Sequence, residues 1–469
     1  MKKLSVFFIA GIAFLLTAAT IDLDNLFNYE NQSVPVYITK DNTDGNPITD
    51  EGATLGRVLF YDKNLSSNNT ISCSSCHRQE FAFGDTAVLS IGVNGVTGRH
   101  SMRLINARFA DEVHFFWDER AVDLETQVTM PIQDHAEMGF SGTNGDGDIF
   151  DLIANLDTID YYNDLFFAAF GDTIITEEKM QFALAQFVRS IQSFDAKYDV
   201  GRAQAPNDGA PFVNYTTLEN QGKDLFLGPP VFNANGQRIG GGLGCAGCHR
   251  PPEFDIDPAS LNNGIIGVAG DPGSSDLTNT RSPSLRDLAN TNGVMNGPLM
   301  HTGGFATIQA AIAHYDLMVN SDNPNLDTRL KPGGNVQKLN MTQNEKNALE
   351  AFLLTLSGTD VYTNEKWSDP FEANGDITVI GGSLALEDQF ISIDVKVYPN
   401  PVSDVLNVEI PNMTGRIEIY DINGNQMYYE PSFYNKASMN ISNFSKGAYF
   451  VVVYDQYDQL VGNTKFIKR

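Results

Sequence analysis

The sequence predicts a mainly α-helical chain with two similar halves, followed by a small all-β sandwich at the C-terminus. An internal echo predicts the two halves: LGRVLFYD at 55–62 recurs as QGKDLFLG at 221–228, and a similar five-residue word follows each copy. Alternating apolar and polar residues predict the β part, for example in ISIDVKVYPNPVSDVLNVEI at 391–410. The change from one pattern to the other indicates a domain boundary.

Two helices of the first part carry clear start signals. TEEKMQFALAQFVRSIQSF begins with Thr176 as a predicted N-cap and has two acids in its first turn. TQNEKNALEAFLLTLSG carries a capping box from Thr342 to Glu345 and is predicted to stop at Gly358. The stretches between these helices are rich in Gly and Asn, which predicts long loops.

Length and charge exclude one class of partner. With 469 residues the chain is long enough for two or three domains with cores of their own. Acidic residues outnumber basic ones by 58 to 31, which gives a formal net charge of −27. A nucleic acid would be repelled by such a surface. The acidic surface indicates either simple solvation or a docking face for a basic partner protein.

The first twenty residues, MKKLSVFFIAGIAFLLTAAT, have the layout of a signal peptide. Two lysines precede a short apolar run, and small residues follow up to Thr20. A membrane anchor is the alternative, but the run is shorter than a spanning helix needs. We therefore predict a signal peptide over 1–20, with cleavage near Ala19 or Thr20, and an exported, soluble mature protein.

All four cysteines of the chain lie in two Cys-x-x-Cys-His words. Disulfides and a zinc site are alternatives for an exported protein, but neither explains the histidine that follows each pair. Covalent haem explains it, because two thiols attach the haem and the adjacent imidazole ligates the iron. We therefore predict two c-type haems in two cytochrome c-like haem domains. The predicted attachment residues are Cys73, Cys76 and His77 in the first word and Cys245, Cys248 and His249 in the second.

Residues Leu55 to Gly358 resemble the bacterial di-haem cytochrome c peroxidases. The resemblance is specific in FFWDERAVDLETQVTMPIQDHAEMG at 115–139, which is similar to the peroxidatic segment of that family, and in SPSLRDLANTNGVMNGPLMHTGGFATIQAAIAHYD at 282–316. It implies that Glu137 moves the proton during peroxide cleavage and that Gln127 hydrogen-bonds the bound peroxide. It also implies that Pro131 shapes the pocket wall and that Trp117 lies near the route between the haems. For Glu137 the alternative is an ordinary surface acid, and for Trp117 an ordinary core residue.

The chain departs from that family at the first haem. Members often carry a capping histidine in a Gly-His-Gly turn, and the corresponding stretch here, SIGVNGVTGRH at 90–100, has Val93 at that position. Valine cannot ligate iron, so we predict an open, five-coordinate first haem that needs no reductive activation. His100 is a possible substitute ligand, and we interpret it as a loop residue.

A second departure concerns the sixth ligand of the second haem. The family places a Met fourteen residues after the His of a His-x-Gly turn, and counting from His301 gives Tyr315. A tyrosine here is similar to the MauG branch, which uses peroxide to oxidise another protein. We predict Tyr315 as the ligand, with Met300 and then Met318 as the alternatives.

The resemblance also implies a calcium ion between the two haem domains. The matching positions are Ser101, Asn296 and Pro298, and the first of these is Asn in the usual pattern. Calcium is bound there through carbonyl and amide oxygens, which leave little trace in a sequence.

The C-terminal segment resembles a sorting domain of the type IX secretion route. The resemblance lies in YPNPVSDVLNV and in the closing GNTKFIKR. A substrate- or sugar-binding module is the alternative. The predicted organisation is a signal peptide (1–20), a peroxidatic haem domain (21–210), an electron-transfer haem domain (211–365), a linker (366–390) and the sorting domain (391–469).

The expected function is an exported di-haem peroxidase that reduces hydrogen peroxide at the first haem, with electrons entering through the second. A MauG-like oxidase of another molecule and a plain electron-transfer cytochrome are the alternatives. The expected partners are an electron-donor cytochrome or other redox protein and the type IX secretion machinery. The oligomeric state stays open, with a homodimer among the options. The expected location is the periplasm in transit and then the cell surface or the medium.

Overall fold

The computed structural model describes residues 20–111, 114–318, 323–382, 395–421, 425–456 and 460–469. The chain divides into two compact units, Met1–Ile380 and Gly381–Arg469. The predicted signal peptide lies outside the described residues except for Thr20. Among the described residues, no helix is both long enough and apolar enough to cross a membrane.

The first unit holds short helices joined by long loops. Its α-helices are α1 (Asp50–Tyr61), α2 (Cys73–Cys76), α3 (Leu124–Thr129), α4 (Ile149–Leu156), α5 (Asp160–Phe170), α6 (Glu177–Ser190), α7 (Lys197–Arg202), α8 (Thr217–Leu227), α9 (Ile308–Asp316) and α10 (Gln343–Leu354). Its strands are β1 (Thr20–Asp22), β2 (Pro230–Phe232), β3 (Arg238–Gly241), β4 (His249–Arg250), β5 (Asp255–Ile256), β6 (Gly267–Val268), β7 (Asp271–Ser275) and β8 (Thr378–Ile380).

Both start signals are confirmed. The Thr176 side chain accepts a hydrogen bond from the Lys179 N–H (3.2 Å) and caps α6. Thr342 and Glu345 form the expected capping box of α10, but this helix ends at Leu354, before the predicted stop at Gly358. The class "mainly α" overstates the helix content, because most of the first unit consists of loops and two-stranded hairpins.

The sequence echo corresponds to a structural duplication. In the first half α1 crosses α6 at Gly56, and in the second half α8 crosses α10 at Gly222. A Cβ at Gly56 would lie 1.9 Å from the Ala183 carbonyl oxygen, and one at Gly222 would lie 1.9 Å from that of Ala348. Both glycines thus permit the same close helix contact. Each half has its own hydrophobic core around its helix pair.

Replacing either crossing glycine by alanine is expected to destabilise the first unit. The added methyl would clash with a backbone carbonyl and force the helices apart, at a cost of about 1–3 kcal/mol. Gly98→Ala is the matched control, since a Cβ at Gly98 has no atom within 4 Å. Thermal unfolding followed by circular dichroism should show a lower midpoint for Gly56→Ala and Gly222→Ala and an unchanged one for Gly98→Ala. Unchanged midpoints in all three variants would contradict the helix-crossing account.

The beginning of the predicted linker belongs to the first unit. Trp367 is 1% exposed in the core of the N-terminal half, and its Nε1–H donates to Ser190 Oγ (3.2 Å). Strand β8 then pairs in parallel with β1. The linker prediction over 366–390 is therefore wrong for 366–380, and 383–390 lie outside the described residues.

The second unit is all-β, as expected. Its strands are β9 (Lys396–Tyr398), β10 (Val405–Asp421), β11 (Gln426–Asn440), β12 (Gly447–Asp455) and β13 (Leu460–Lys468). They form one five-stranded sheet in the order β11-β10-β12-β13, with β9 also on β10, so the hydrogen bonds do not divide it into the two sheets of a sandwich. A register irregularity between Glu409 and Thr414 interrupts the pairing of β10 with β11. Apolar side chains on both sides of that irregularity belong to the same core.

Candidate functional site

The first Cys-x-x-Cys-His word forms α2 and the residue that follows it. The His77 N–H donates to the Cys73 carbonyl (2.9 Å), which holds the imidazole at the end of the turn. His77 Nδ1 lies 3.2 Å from the Phe83 carbonyl oxygen. A carbonyl can only accept, so Nδ1 donates in this contact, which is the kind of hydrogen bond that orients a metal-ligating imidazole. Burial lowers the pKa of His77, which keeps the ring neutral.

Glu137 lies close to this word. Burial raises the pKa of Cys73 to about 12 and that of Cys76 to about 11, and the Glu137 charge adds to both shifts. None of the four cysteines is in a disulfide. Glu137 is therefore near enough for its charge to act on both thiols that the sequence predicts as haem attachment sites.

A tight turn from Asp134 to Gly139 presents Glu137. Asp134 Oδ1 accepts hydrogen bonds from the N–H groups of Ala136 (2.8 Å) and Glu137 (3.1 Å). The Asp134 carbonyl accepts from the Gly139 N–H (2.8 Å), where a φ of +81° favours glycine. Burial, helped by the negative charge of Asp134, raises the pKa of Glu137 to about 7. The carboxyl group can therefore both take and give a proton near neutral pH.

The turn that contains Val93 packs against Glu137. The Val93 N–H donates to the Glu137 carbonyl (2.9 Å). A Cβ at Gly92 would lie 2.1 Å from the Ala136 carbonyl oxygen, and one at Gly139 would lie 2.8 Å from Val93 Cγ2. Valine thus stands beside the Glu137 turn, at the position where the resemblance implies a capping histidine.

Gln127 and Pro131 lie on either side of the end of α3. Both are half-buried, and α3 packs on α6 within the N-terminal core. They precede the Glu137 turn in the chain, and the Met130 N–H donates to the Gln127 carbonyl (3.1 Å). Their roles toward peroxide stay predictions.

The second Cys-x-x-Cys-His word borders a cavity of about 600 Å³. Cys245, Cys248 and His249 contribute to its wall, together with apolar side chains from α8, α9 and α10. Burial, with a smaller contribution from the Arg329 charge, lowers the pKa of His249 to about 4, so its ring is neutral. This cavity is the predicted site of the second haem.

Two of the three candidate sixth ligands face this cavity. Tyr315 on α9 and Met300 in the preceding loop both line it. Met318 is not among the described residues that line the cavity; it packs with Leu326 and Leu330 in a small cluster that Tyr315 also contacts. Burial raises the pKa of the Tyr315 phenol. The geometry therefore leaves Tyr315 and Met300 as candidates.

Trp117, His100 and His301 form a junction between the two halves. Trp117 Nε1–H donates to the His100 carbonyl (2.7 Å), and the His100 N–H donates to the His301 carbonyl (2.8 Å). The rings of Trp117 and His301 lie 6.1 Å apart. His100 Nδ1 is 2.9 Å from the Ala87 carbonyl, so this nitrogen is engaged within its loop. All three residues line the second cavity.

The residues around the second cavity fit a haem. Among the described residues, His249 Nδ1 and Arg103 Nε are buried and have no hydrogen-bond partner. A neutral imidazole suits an iron centre, and the Arg103 guanidinium suits a carboxylate of the kind that haem carries. Burial lowers the pKa of Arg103 to about 10, so it stays charged at neutral pH.

Two of the three predicted calcium positions, Ser101 and Asn296, form side-chain hydrogen bonds within the protein. Ser101 Oγ pairs with Ser90 Oγ (2.8 Å). Asn296 Nδ2 donates to the Asp287 carbonyl (2.8 Å) and to Tyr362 Oη (2.8 Å). Among the described residues, no group of three or more His, Cys, Asp or Glu could hold a metal ion. Any calcium here would therefore depend on backbone and amide oxygens.

Comparisons with known proteins identify both parts of the chain. Residues 50–205 match the model of the di-haem cytochrome c peroxidase family. The methylamine utilization protein MauG of Methylorubrum extorquens is 30% identical over 321 residues, which are 66% of this chain and 79% of that relative. The chain belongs to the di-haem cytochrome c peroxidase and MauG family. Membership implies two c-type haems and a peroxidase-type oxidoreductase.

Other similar proteins represent both branches of this family. The cytochrome c551 peroxidase of Nitrosomonas europaea is 29% identical over 269 residues, 57% of this chain and 73% of that relative. A solved MauG-like protein associated with microbial copper homeostasis superimposes with a TM-score of 0.56 at 28% identity, covering 72% of this chain and 99% of that one. Residues 396–469 match the secretion system C-terminal sorting domain, so the β unit is a sorting domain.

Sequence reasoning missed three residues that the structure places at the sites. Asp134 accepts a hydrogen bond from the Glu137 N–H and adds a negative charge to that turn. Arg103 faces the second cavity, and Asn263 contacts Tyr315. An Asp three residues before Glu137 is a turn signal and was visible in the sequence. The other two depend on contacts between distant segments and leave no local signal.

Proposed function

We propose that this chain is an exported di-haem peroxidase that reduces hydrogen peroxide to water at the N-terminal haem site. The observation that carries the proposal is Glu137, a half-buried carboxyl group with a pKa of about 7 beside Cys73 and Cys76. The overall change is H₂O₂ + 2 e⁻ + 2 H⁺ → 2 H₂O. A c-type haem at Cys73, Cys76 and His77 would supply the redox-active iron.

The side chains around that site handle the protons. As a carboxylate, Glu137 removes a proton from one peroxide oxygen and returns it to the other, so that the leaving oxygen departs as water. Gln127 donates a hydrogen bond that orients the peroxide, and Pro131 shapes the wall beside it. Val93 offers no atom that could ligate iron, so it would leave the place beside the Glu137 turn free for peroxide.

The second site receives electrons from a donor cytochrome or another redox protein. Cys245, Cys248 and His249 would hold its haem, and Tyr315 would supply the sixth ligand. With both haems bound, Trp117 would lie on the route that electrons take toward the first site. The acidic surface favours a basic donor.

A MauG-like oxidase is the second candidate function. The phenol of Tyr315 in the second cavity favours it, because a phenolate stabilises ferric iron more than a thioether does. In that case the electrons come from a residue of another protein or from a small molecule. Glu137 argues against a plain electron carrier, which needs no acid–base group.

We also propose a calcium site and a location for the protein. Calcium between the haem domains would bind through oxygens near Ser101, Asn296 and Pro298. The sorting domain directs the chain through the type IX route to the cell surface or the medium.

The fully oxidised protein is expected to react with peroxide without prior reduction, because Val93 leaves the first site uncapped. Mixing the oxidised protein with one equivalent of hydrogen peroxide should change the absorption spectrum of the protein. Val93→His places an imidazole at the capping position and should suppress the reaction until the protein is reduced. The proposal would be contradicted if the oxidised wild-type protein does not react with peroxide, or reacts only after it has been reduced.

A further inference from the structure

The turn LNNGIIG (261–267) lies against the second cavity and is held rigidly. Asn262 is fully buried, and its Oδ1 accepts hydrogen bonds from the Gly264 N–H (2.7 Å) and from Asn323 Nδ2 (2.7 Å). Its Nδ2 donates to the carbonyls of Ile265 (3.2 Å) and Asn279 (3.0 Å). Gly264 has a φ of +90°, which the tight turn requires. The residue between Asn262 and Gly264, Asn263, is therefore fixed in place.

Two hydrogen bonds define how Asn263 faces the cavity. Its carbonyl accepts from His314 Nε2 (2.9 Å), which ties the turn to α9 one residue before Tyr315. Its side-chain Oδ1 accepts from the Ile265 N–H (3.1 Å). Because Oδ1 already has a donor, the amide cannot be flipped, and its NH₂ group points away from Ile265.

That NH₂ group reaches both candidate ligands of the second haem. Asn263 Nδ2 lies 3.2 Å from Tyr315 Oη and 3.5 Å from Met300 Sδ. Its two hydrogens can serve the two acceptors at once. Met300 has a φ of +68°, which costs a non-glycine residue of order 1–3 kcal/mol, so its surroundings hold this conformation.

We propose that Asn263 is a positioning residue that selects Tyr315 over Met300 as the sixth ligand of the second haem. A phenolate oxygen bound to iron keeps a further lone pair for the amide, and hydrogen bonds to charged acceptors are the stronger ones. A thioether sulfur is a weak acceptor and gains little from the same donor. The amide therefore stabilises the tyrosine-ligated arrangement and holds the Met300 sulfur beside it. The inference rests on the proposed function only in assuming a haem at this site.

The test uses the resting, fully oxidised holoprotein without peroxide. Absorption, EPR and the reduction potential of the second haem report its ligand. Asn263→Leu removes both donors, and the tyrosine-to-methionine ratio should fall roughly 10- to 100-fold, the equivalent of about 1.4–2.7 kcal/mol, as for a hydrogen bond to a charged acceptor. The phenolate signature should weaken, and that of methionine should appear. In Asn263→Leu/Met300→Leu the methionine signature should be absent.

Two further variants separate positioning from folding. Gln337→Leu is the matched control, because Gln337 also lines the cavity but its side-chain amide donates to the Tyr315 backbone carbonyl (3.1 Å) and not to the phenol. It should leave the ligand unchanged. If Asn263→Leu does not retain two haems, Asn263→Asp keeps the acceptor for Ile265, loses both donors and should show the same shift.

The inference is overturned if Asn263→Leu or Asn263→Asp folds with an unchanged spectrum and potential. It is also overturned if the wild-type second haem is already methionine-ligated. If peroxide does not react at the first haem, the proposed function is wrong. The measurements on the resting protein would still decide the role of Asn263.

Discussion

Glu137→Gln is expected to slow the reaction with peroxide by about 10²–10⁴-fold, the usual scale for losing a positioned acid–base group. Glutamine has a similar size and hydrogen-bonding capacity but cannot take up the peroxide proton. The Asp134 turn should persist, because it holds Glu137 through its backbone N–H. The measurement is the second-order rate constant from stopped-flow mixing of oxidised protein with peroxide. Glu51→Gln, an exposed acid at the start of α1, is the control and should be unaffected.

The same experiment predicts a pH profile. Glu137 must begin as a carboxylate, and with a pKa of about 7 its charged fraction grows as the pH rises through 7. The wild-type rate constant should therefore rise between about pH 6 and 8 and then level off, whereas the Gln variant should be flat over this range. A variant rate within twofold of wild type, or a wild-type rate that falls with pH, would exclude Glu137 as the proton-transfer group.

Tyr315→Phe is expected to change the second haem's spectrum and raise its potential, by on the order of 100 mV or more, since axial ligands tune haem potentials over about 0.8 V. The reason is that a phenolate stabilises ferric iron, and phenylalanine offers no donor atom. Spectroelectrochemical titration measures both effects. Met300→Leu is the control, because its sulfur lies in the same cavity and is not the predicted ligand.

The opposite pattern has a clear meaning. If Met300→Leu abolishes a six-coordinate signal and Tyr315→Phe does not, methionine is the ligand. The second haem would then be a ready acceptor from a soluble cytochrome, and ordinary cytochrome c peroxidase activity would become the better account than a MauG-like oxidation.

The sequence predicts features that short-range patterns determine. The helix starts at Thr176 and Thr342 follow from side chains three residues from the N–H groups they cap. The repeated stretches around Gly56 and Gly222 predict a duplication. In the structure both glycines make the same close contact with a backbone carbonyl. By contrast, the burial of Trp367 depends on a core formed mainly by residues much earlier in the chain. No local pattern encodes that contact, so the segment was assigned to a linker.

The candidate site also combines features that the sequence predicts with features that only the fold determines. Resemblance selects Glu137, but its pKa depends on burial and on Asp134, which only the folded turn shows. Spacing from His301 selects Tyr315, but the folded chain brings Met300 to the same cavity from a different segment, so spacing alone does not exclude it. Asn263 was missed because its contacts join a loop, a helix and a second loop.

The most direct test of the central claim, an uncapped first haem served by Glu137, is the EPR spectrum of the resting ferric protein. An open first site with Val93 in place of a capping histidine predicts one high-spin ferric signal from the first haem. A tyrosine- or methionine-ligated second site predicts one low-spin signal beside it. Two low-spin signals of equal weight would show that a sixth ligand closes the first haem, and would contradict the account.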